Sequence, residues 1–287
     1  MNHSSHLVVI TGATRGLGRL VADRFWQEGD DLILISRHEP DLKNVADDLA
    51  TTGHPDQEVY YFVEDLANPE QIPALLQTIQ KRAGSPDILI NNAAIQGPIG
   101  PVHLNDWTSW LECLNVCLLA PIQFCRGFLP AMIENRFGRI VNISGGGATA
   151  PRPNFSSYAT AKCGLVRFSE TLAQEVSPYG ITVNCVAPGA MNSRLTEAIL
   201  DVGAGRAGSS EIESARRISE TDPHAEKKAA DLVHFLTTDP CNKINGKLIS
   251  AVWDPWEKIP DLAEGIQTND VYTLRRILPK DRDLTFE

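Results

Sequence analysis

The sequence lacks the features of a secreted, membrane-spanning or nucleic-acid-binding protein. Its 287 residues begin without a basic segment followed by a signal-like apolar stretch, and no later apolar run reaches the length expected of a membrane span. The formal net charge of -10 has the wrong sign for non-specific capture of nucleic acid phosphates. With 43% hydrophobic and 22% charged residues, the composition is that of a globular enzyme. These absences predict a cytoplasmic protein that acts on a small molecule, with no nucleic acid or membrane as partner.

Cysteine is also scarce, because six cysteines in a chain of this length do not make a disulfide framework. Cys113, Cys117 and Cys125 recur at intervals of four and eight residues, which places them near one face of a predicted helix. No histidine lies nearby at the spacing of a zinc site. We therefore expect small buried hydrophobes at these positions and predict no metal site.

Short apolar runs alternate with amphipathic segments along most of the chain. The runs predicted as strands are Leu7–Ile10, Leu32–Ile35, Val59–Val63, Ile88–Ile90, Ile140–Ile143, Ile181–Val186 and Lys247–Ala251. The segments with a 3.6-residue period include Leu17–Glu28, Pro69–Arg82 and Tyr158–Val176. This alternation is typical of a parallel sheet covered on both faces. The sequence thus predicts an α/β fold, with one doubly wound Rossmann-type domain, about seven parallel strands and helices on both faces.

No linker rich in Pro, Ser or Gly divides the chain. We therefore predict one domain over residues 1–252, followed by a C-terminal extension over residues 253–287. Within the domain, residues 194–222 are polar and rich in glycine, which favours a flexible insertion or a lid over the substrate. The extension shows no helix or strand pattern.

The first predicted strand leads into a glycine-rich segment, Thr11-Gly12-Ala13-Thr14-Arg15-Gly16-Leu17-Gly18, and then into a helix. Glycines allow a tight turn and a close approach to a diphosphate, while the helix N-terminus offers free N–H groups and a positive dipole end. An ordinary turn between a strand and a helix is the simpler interpretation. The position directly between a first strand and a helix favours a nucleotide site.

The end of the second strand bears on the choice of cofactor. A carboxylate there would hold the ribose 2′-OH of NAD, but this strand ends in Ser36-Arg37. Arg15 supplies a second guanidinium from the glycine loop, and two arginines suit a 2′-phosphate. The nearby Glu39 and Asp41 are expected to begin the next helix. NADP is therefore the predicted cofactor, with NAD as the alternative.

Tyr158 and Lys162 are four residues apart on a predicted helix, so their side chains share one face. A free tyrosine has a pKa of about 10 and is a poor acid or base at neutral pH. A lysine ammonium one turn away would lower that pKa. The pair alone could be an ordinary surface feature.

Together with the glycine loop, this pair resembles the short-chain dehydrogenase/reductase family. The resemblance covers residues 6 to 252 and rests on motifs in the family's order: Thr11-Gly12-x-x-x-Gly16-x-Gly18, Asp65, Asn91-Asn92-Ala93-Ala94, Asn115, Tyr158-x-x-x-Lys162 and Pro188-Gly189. The catalytic residues that it implies, with one substitution discussed below, are Tyr158, Lys162, Asn115 and Ser144. The cofactor-binding residues that it implies are Gly12, Thr14, Arg15, Gly16, Leu17, Gly18, Arg37, Asp65, Leu66, Asn92, Ala93, Tyr158, Lys162, Pro188, Gly189 and Ser193.

The resemblance also implies a role for each group. Tyr158 would donate the proton in reduction and accept it in oxidation, while Lys162 would hold the nicotinamide ribose. Asn115 would support a water-linked proton path to the lysine, unless it only bonds a neighbouring strand. Asp65 would meet the adenine amino group, unless it is a helix cap. The backbone of Asn91 would contact the adenosine ribose. The Pro188, Gly189 and Ser193 positions would orient the nicotinamide carboxamide.

One position departs from the family's pattern. The family usually has a serine 13 residues before the tyrosine, where it binds the substrate oxygen, but this sequence has Gly145. Losing such a donor can cost about a hundredfold in rate. Three explanations remain open. Ser144 could take the role after a shift of one residue, loop N–H groups or Ser156 or Ser157 could do so, or the enzyme could be weak or inactive.

The C-terminal extension is a second departure. Trp253 and Trp256 could wall a substrate pocket, lie at a subunit interface, or pack on their own domain. The pair Arg275-Arg276 could meet an anionic substrate or be an ordinary solvated patch. By resemblance, helices near residues 105–135 and 155–178 would form a homodimer or homotetramer.

The function predicted from the sequence is NADP-dependent hydride transfer between the nicotinamide and a carbonyl or secondary alcohol carbon, with Tyr158 as general acid and base. Sugar-derived and ketoacyl substrates both remain open, and an epimerase or dehydratase is a minor variant. The alternative from another class is a nucleotide-binding protein without turnover, acting as a redox sensor or as a structural subunit.

Overall fold

Strands and helices alternate through the structure, a computed structural model that describes residues 5–219 and 224–284. The strands are β1 Leu7–Thr11, β2 Asp31–Ser36, β3 Val59–Val63, β4 Ile88–Asn91, β5 Gly138–Ile143, β6 Ile181–Ala187 and β7 Leu248–Ser250. The α-helices are α1 Gly16–Gln27, α2 Glu39–Ala50, α3 Ile72–Arg82, α4 Trp107–Leu114, α5 Ala120–Asn135, α6 Ser156–Val176, α7 Arg194–Val202, α8 Ala204–Ala207, α9 Ser209–Ser219, α10 His224–Phe235 and α11 Ala263–Gln267. Each predicted strand and helix is present, with its ends shifted by three residues at most.

All seven strands are parallel, in the order β3-β2-β1-β4-β5-β6-β7. Val8 of β1 is paired with Leu32 on one side and with Ile88 on the other. The chain therefore reverses its winding direction between β1 and β4. The loops after these two strands meet at the carboxyl edge of the sheet, the place where doubly wound folds bind ligands.

The sheet separates two apolar layers, because successive side chains of a strand point to opposite faces. Val8 and Ile10 lie in the layer formed with α1 and α10, whereas Val9 lies in the layer formed with α3, α5 and α6. Phe25 of α1 and Phe128 of α5 are fully buried on opposite faces. Burying a side chain of this kind contributes roughly 1.5–3 kcal/mol. The predicted doubly wound domain with helices on both faces is confirmed.

The longest helical run is α4 and α5, joined by a π-turn over Asn115–Leu119. This run, Trp107–Asn135, has 29 residues and a mean hydropathy of 1.6 over its most apolar 18 residues, so by length and composition it could cross a membrane. The expectation that no segment is long enough was therefore wrong. The run is apolar on several sides because Cys117, Phe124 and Phe128 belong to the core while Leu111 and Leu119 are exposed.

The two segments that interrupt the sequence pattern are more ordered than their composition suggests. Residues 194–219 form α7, α8 and α9, which pack on Phe155 through Ile199 and Ile212, whereas residues 220–222 of the predicted lid lie outside the described residues. The extension, whose sequence shows no helix or strand pattern, nevertheless contains helices. It contains 3-10 helices at Trp256–Leu262 and Pro279–Arg282 as well as α11.

The helical part of the extension is held by burial of its apolar side chains. Trp256, Ile259, Ala263 and Ile266 recur at helical spacing and are buried against the α1–α10 layer. Trp256 packs against its own domain, whereas Trp253 is 84% exposed.

Candidate active site

The glycine loop after β1 is shaped by close contacts that leave no room for side chains. Gly12 has φ +67° and donates its N–H to the carbonyl of Ile35 at 2.7 Å. A Cβ atom on Gly18 would lie 2.2 Å from the carbonyl oxygen of Gly12, so α1 can approach the loop this closely only because residue 18 is glycine. The N-terminus of α1 is thereby fixed against the loop.

The loop after β4 is tied to the glycine loop through Thr11. The hydroxyl of Thr11 accepts hydrogen bonds from the backbone N–H groups of Asn92 and Ala93, each at 3.0 Å. The side-chain amide of Asn92 donates to the carbonyls of Thr11 at 3.0 Å and Gly12 at 3.2 Å. The predicted Asn92 and Ala93 therefore do lie beside the glycine loop, and the buried Thr11 is a member of this site that the sequence analysis did not select.

Asn91 has a different place, inside the sheet. Its amide donates to Asn142 at 2.8 Å, and Asn142 in turn donates to the Ser169 hydroxyl of α6 at 2.7 Å. This buried chain fixes the carboxyl ends of β4 and β5 against the helix that carries Tyr158.

Three arginines lie around the glycine loop without an ion pair or side-chain hydrogen bond to any described residue: Arg15, Arg37 and Arg194. The pKa of Arg15 is lowered from its ordinary value by burial, and the charges of Arg194 and Arg37 act in the same direction. Asp41 and Glu197 offset this effect. Arg194 was not predicted, because it begins α7 far along the chain. Unpaired positive charge at a helix N-terminus suits a phosphate.

The remaining predicted cofactor residues occupy two ends of the cleft. Asp65 accepts a hydrogen bond from the N–H of Ala67 at 3.1 Å, so one of its oxygens serves the turn after β3. The buried side chains of Leu17 and Leu66 belong to the core. Thr14, after Gly12, is half-buried.

The loop after β6 carries the other group of predicted residues. Gly189 has φ +87°, and a Cβ there would lie 2.5 Å from Cγ2 of Val252. Pro188 precedes it and is buried, while Ser193 is the N-cap of α7 without a side-chain cap bond.

Tyr158 and Lys162 lie one turn apart on α6, and both are buried. The Lys162 ammonium donates to the carbonyl of Ile143, at the end of β5, at 2.7 Å. Its nitrogen lies 5.6 Å from the centre of the Tyr158 ring. The predicted pair therefore does share one helix face and meets the carboxyl end of the sheet.

Burial raises the pKa of Tyr158 above its ordinary value, and the neighbouring Cys117 adds to this effect. The positive charge of Arg152 acts in the opposite direction. This differs from the expectation that Lys162 would lower the tyrosine pKa, since the ammonium is bonded to Ile143 and the desolvation of the phenol dominates. Tyr158 is thus a neutral phenol, a form that can donate a proton.

Gly145 lies directly against the phenol. A Cβ atom at this position would be 2.3 Å from the Tyr158 hydroxyl oxygen and 3.0 Å from Cζ of the ring. The tyrosine therefore occupies the space that a side chain at residue 145 would need. A serine at this position would require the Tyr158 ring to move.

The structure separates the other serines considered for the substrate oxygen. Ser144 directly follows β5, and its buried hydroxyl has no hydrogen-bond partner among the described residues. Ser156 accepts a hydrogen bond from the Trp110 indole at 3.1 Å. Ser157 lies against Gly97, whose Cβ would be 2.5 Å from the Ser157 hydroxyl. The Ser157 hydroxyl, like that of Ser144, is buried without a hydrogen-bond partner among the described residues.

Asn115 begins the π-turn between α4 and α5. Its amide donates to the carbonyl of Ala67 at 2.9 Å, so the side chain joins this helix to the loop after β3. The nearby Cys113 and Cys117 are buried as expected, and both thiols contact the carbonyl of Ile95.

The fold, the glycine loop and the Tyr158–Lys162 pair agree with a comparison of the chain against protein families, in which residues 6–202 match the family described as short chain dehydrogenase. The chain belongs to this family. It is an oxidoreductase of the short-chain dehydrogenase/reductase type.

Individual relatives support the same assignment. The 3-oxoacyl-(acyl-carrier-protein) reductase FabG of Salmonella typhimurium is 30% identical over 249 residues, which cover 87% of this chain and 96% of that protein. The L-sorbose reductase of Gluconobacter frateurii, solved with NADPH and L-sorbose, is 25% identical with a TM-score of 0.75, covering 87% of this chain and 96% of that one. A variant of the actinorhodin polyketide ketoreductase, solved with NADPH, is 26% identical with a TM-score of 0.75, covering 86% and 95%.

Proposed function

We propose that this chain is an NADP(H)-dependent oxidoreductase that interconverts a carbonyl and a secondary alcohol, with Tyr158 as general acid and base. The observation that carries the proposal is the placement of the buried Tyr158 hydroxyl over Gly145, with Lys162 anchored at Ile143 beside it. A neutral, desolvated phenol suits proton donation to a carbonyl oxygen during reduction. The reverse reaction requires the phenolate and is favoured at higher pH.

The residues of the cleft fit a dinucleotide. The glycines at positions 12, 16 and 18 make a cradle at the N-terminus of α1, where backbone N–H groups suit a diphosphate. Arg15 and Arg37 suit the 2′-phosphate of NADP, and the NADPH present in two of the related structures supports this choice. When bound, NADPH supplies the hydride. Asp65, one oxygen of which has no hydrogen-bond partner among the described residues, is assigned to the adenine.

The remaining roles follow the same geometry. Lys162 is assigned to the nicotinamide ribose, since its ammonium has donors beyond the bond to Ile143. Pro188, Gly189 and Ser193 are assigned to the carboxamide side. Asn115 is assigned a positioning role through its bond to Ala67 and the π-turn that it begins.

Ser144 is the proposed donor to the substrate oxygen. Its hydroxyl is buried without a partner among the described residues, as is that of Ser157, but Ser144 adjoins Gly145, the residue that lies against the Tyr158 hydroxyl. An unpaired buried hydroxyl costs roughly 1–3 kcal/mol unless something binds it. A substrate oxygen beside Tyr158 would satisfy it. Ser144→Ala is then expected to lower kcat/KM by about 10- to 100-fold with little loss of stability.

The proposal extends to the surroundings of the site. We assign residues 194–222 to a substrate lid within a domain that ends at 252, and we expect a cytoplasmic homodimer or homotetramer. The exposed apolar residues Leu111 and Leu119 on the α4–α5 run support association through that surface. Ketoacyl and sugar-derived substrates are both supported by the names of related proteins.

The test begins with fluorescence titration of the purified protein with NADPH and NADH, followed by a carbonyl screen with the tighter cofactor. Tyr158→Phe is expected to keep NADPH affinity within about twofold and to lose roughly 100-fold or more of turnover. The exposed Tyr179→Phe is the matched control and should behave as wild type. Turnover by Tyr158→Phe at the wild-type rate would overturn the assignment. Tight NADPH binding without turnover on any carbonyl would instead favour a nucleotide-binding protein without catalysis.

A further inference from the structure

Arg152 is a cation beside the reacting phenol that the proposed mechanism does not use. It lies on the loop between β5 and α6, and only 16% of its side chain is exposed. A Cβ on Gly146 would be 3.4 Å from its Nη1 atom, and Gly146 adjoins Gly145, the residue against the Tyr158 hydroxyl. The positive charge of the guanidinium also lowers the pKa of the Tyr158 phenol.

The guanidinium is held in a fixed orientation by two contacts. It stacks over the ring of the buried Phe155, with Cζ 3.9 Å from the ring centre. Its Nε and Nη2 atoms donate to the two carboxylate oxygens of Glu211, at 3.0 and 2.7 Å. Glu211 belongs to α9, within the segment assigned to the lid. The third nitrogen, Nη1, makes no hydrogen bond with the residues that the structure describes.

This arrangement is poorly explained by stability alone. A two-point arginine–carboxylate pair is a strong and directional contact. Here it lies next to consecutive glycines, and the third nitrogen, Nη1, makes no hydrogen bond with the described residues. The chain as a whole carries a net charge of -10, which repels anions. A local, oriented cation is therefore needed if the substrate is an anion.

We propose that Arg152 is a specificity-determining residue that binds a carboxylate of the substrate, with Glu211 as its counter-ion when no substrate is bound. The substrate class is then a 2-oxo or 3-oxo carboxylic acid, or the corresponding hydroxy acid. The proposal rests on the proposed function for the position of the carbonyl beside Tyr158. The carboxylate that already occupies two nitrogens of Arg152 shows which chemistry this guanidinium accepts.

Substitutions of Arg152 and Glu211 should change the use of the acid in opposite directions. This difference distinguishes a role in substrate recognition from a purely structural role. Arg152→Met removes the cation and should lower kcat/KM for the acid by roughly 10- to 100-fold, as expected for one charge-assisted hydrogen bond, while leaving the ester within about threefold. Glu211→Gln keeps the cation, removes the competing carboxylate and should lower KM for the acid. If the Arg152–Glu211 ion pair only holds α9 against the loop, both variants should lose activity on the acid and on the ester alike.

The experiment compares acetoacetate with ethyl acetoacetate and pyruvate with methyl pyruvate, in wild type, Arg152→Met, Arg152→Lys and Glu211→Gln. Calorimetric titration of each acid, with and without NADPH, measures binding independently of turnover. Wild-type preference for an acid that is lost in Arg152→Met and partly kept in Arg152→Lys supports the proposal. Equal use of acid and ester by wild type, or equal losses in Arg152→Met and Glu211→Gln, would overturn it.

The two proposals fail in different ways. If Tyr158→Phe keeps full turnover, the proposed proton donor is wrong, whereas the calorimetric comparison of wild type with Arg152→Met still tests the carboxylate site. If no acid binds to wild type and esters are reduced normally, the proposed function stands and the Arg152 inference is wrong.

Discussion

The hydroxyl of Tyr158 lies so close to Gly145 that a Cβ atom on the glycine would be 2.3 Å from the phenol oxygen. Real Cβ atoms do not approach another atom this closely, so any side chain at residue 145 would force the buried ring to move. The glycine at the family's usual serine position is thus coupled to the placement of the tyrosine.

This coupling predicts that restoring the family's serine lowers activity. Gly145→Ser and Gly145→Ala should both reduce kcat/KM by roughly 10- to 100-fold, because overpacking costs about 1–3 kcal/mol and the displaced group is the proton donor. The measurement is steady-state kinetics on the best carbonyl found, with thermal unfolding alongside. Gly146→Ala, whose Cβ would meet nothing closer than 3.4 Å, is the control for fold stability. A Gly145→Ser enzyme faster than wild type would show that the Tyr158 ring can move aside without loss of activity.

Two glycines of the glycine loop, Gly18 and Gly16, should differ in how much an alanine substitution destabilises the protein. Gly18→Ala places a Cβ 2.2 Å from the backbone oxygen of Gly12, which cannot move without breaking the loop, so we expect a loss of about 3 kcal/mol or more in unfolding free energy. Gly16→Ala meets no atom within 4 Å and has only the strain of φ +51°, for which about 1 kcal/mol is expected. Urea denaturation measures both. Equal effects would mean that backbone conformation, and not the contact with Gly12, decides the requirement for glycine.

The strands were predictable from the sequence because parallel strands buried on both faces are nearly continuous apolar runs. Ile181–Val186, for example, appears in the structure as Ile181–Ala187. The extension was missed because its helices are short and interrupted by Pro260, although the spacing of Trp256, Ile259, Ala263 and Ile266 could have revealed them.

The site residues that belong to a sequence motif were predictable, whereas those placed by tertiary packing were not. Tyr158 and Lys162 share one face of α6, and Asn92 lies beside the glycine loop, as spacing and order predict. The positions of Arg152 and Arg194 depend on how the loops and the helices α7 and α9 pack, which no local pattern encodes. The direction of the Tyr158 pKa shift was also missed, because it depends on burial and on the bond from Lys162 to Ile143.

The unpaired arginines predict the cofactor preference. Arg15→Ala and Arg37→Ala should each weaken NADPH binding by about 10- to 100-fold and change NADH binding by less than about threefold, because only NADPH carries the 2′-phosphate. Fluorescence titration with both cofactors measures the ratio. Arg276→Ala, an exposed arginine of the extension, is the charge-matched control. Equal losses for NADH and NADPH would place these arginines at the diphosphate instead.

The contact between His6, just before β1, and Asp87 predicts that the free energy of unfolding changes near neutral pH. Nδ1 of His6 lies 3.8 Å from the Asp87 carboxylate, and this carboxylate raises the pKa of His6. A raised histidine pKa means that the stabilising contribution is fully present below about pH 6.5 and is lost as the pH rises through the folded-state value.

Urea denaturation at pH 6 and pH 8 tests this contribution. Wild type should lose more stability over this interval than Asp87→Asn, which cannot bind the protonated imidazole with a charge. The N–H of Leu7 also donates to Asp87, at 3.0 Å, so the variant will be less stable at both pH values. The change between the two pH values is therefore the quantity to compare. An equal change in both proteins would remove His6 as its source.

The C-terminal extension predicts a difference between two truncations, because it covers the free edge of β7 and part of α6. The N–H of Leu248 donates to the carbonyl of Tyr272 at 2.8 Å, and Lys247 Nζ donates to the carbonyl of Asn269 at 2.9 Å. On α6, the buried Glu170 accepts the N–H of Leu274 at 2.6 Å. Ending the chain after residue 268 removes all three contacts, uncovers a strand edge and leaves a buried carboxylate without this N–H donor.

We expect this truncation to lower the melting temperature by roughly 5–10 °C, which corresponds to a loss of about 2–4 kcal/mol, and to promote aggregation. Ending the chain after residue 278 keeps those contacts and removes mainly the exposed pair of Arg275 with Asp281, so its melting temperature should stay within about 2 °C of wild type. If both truncated proteins melt together, the contacts with β7 and α6 do not stabilise the fold. A stable 268-residue protein that forms larger assemblies would show that the extension serves chiefly to keep the β7 edge from pairing with another chain.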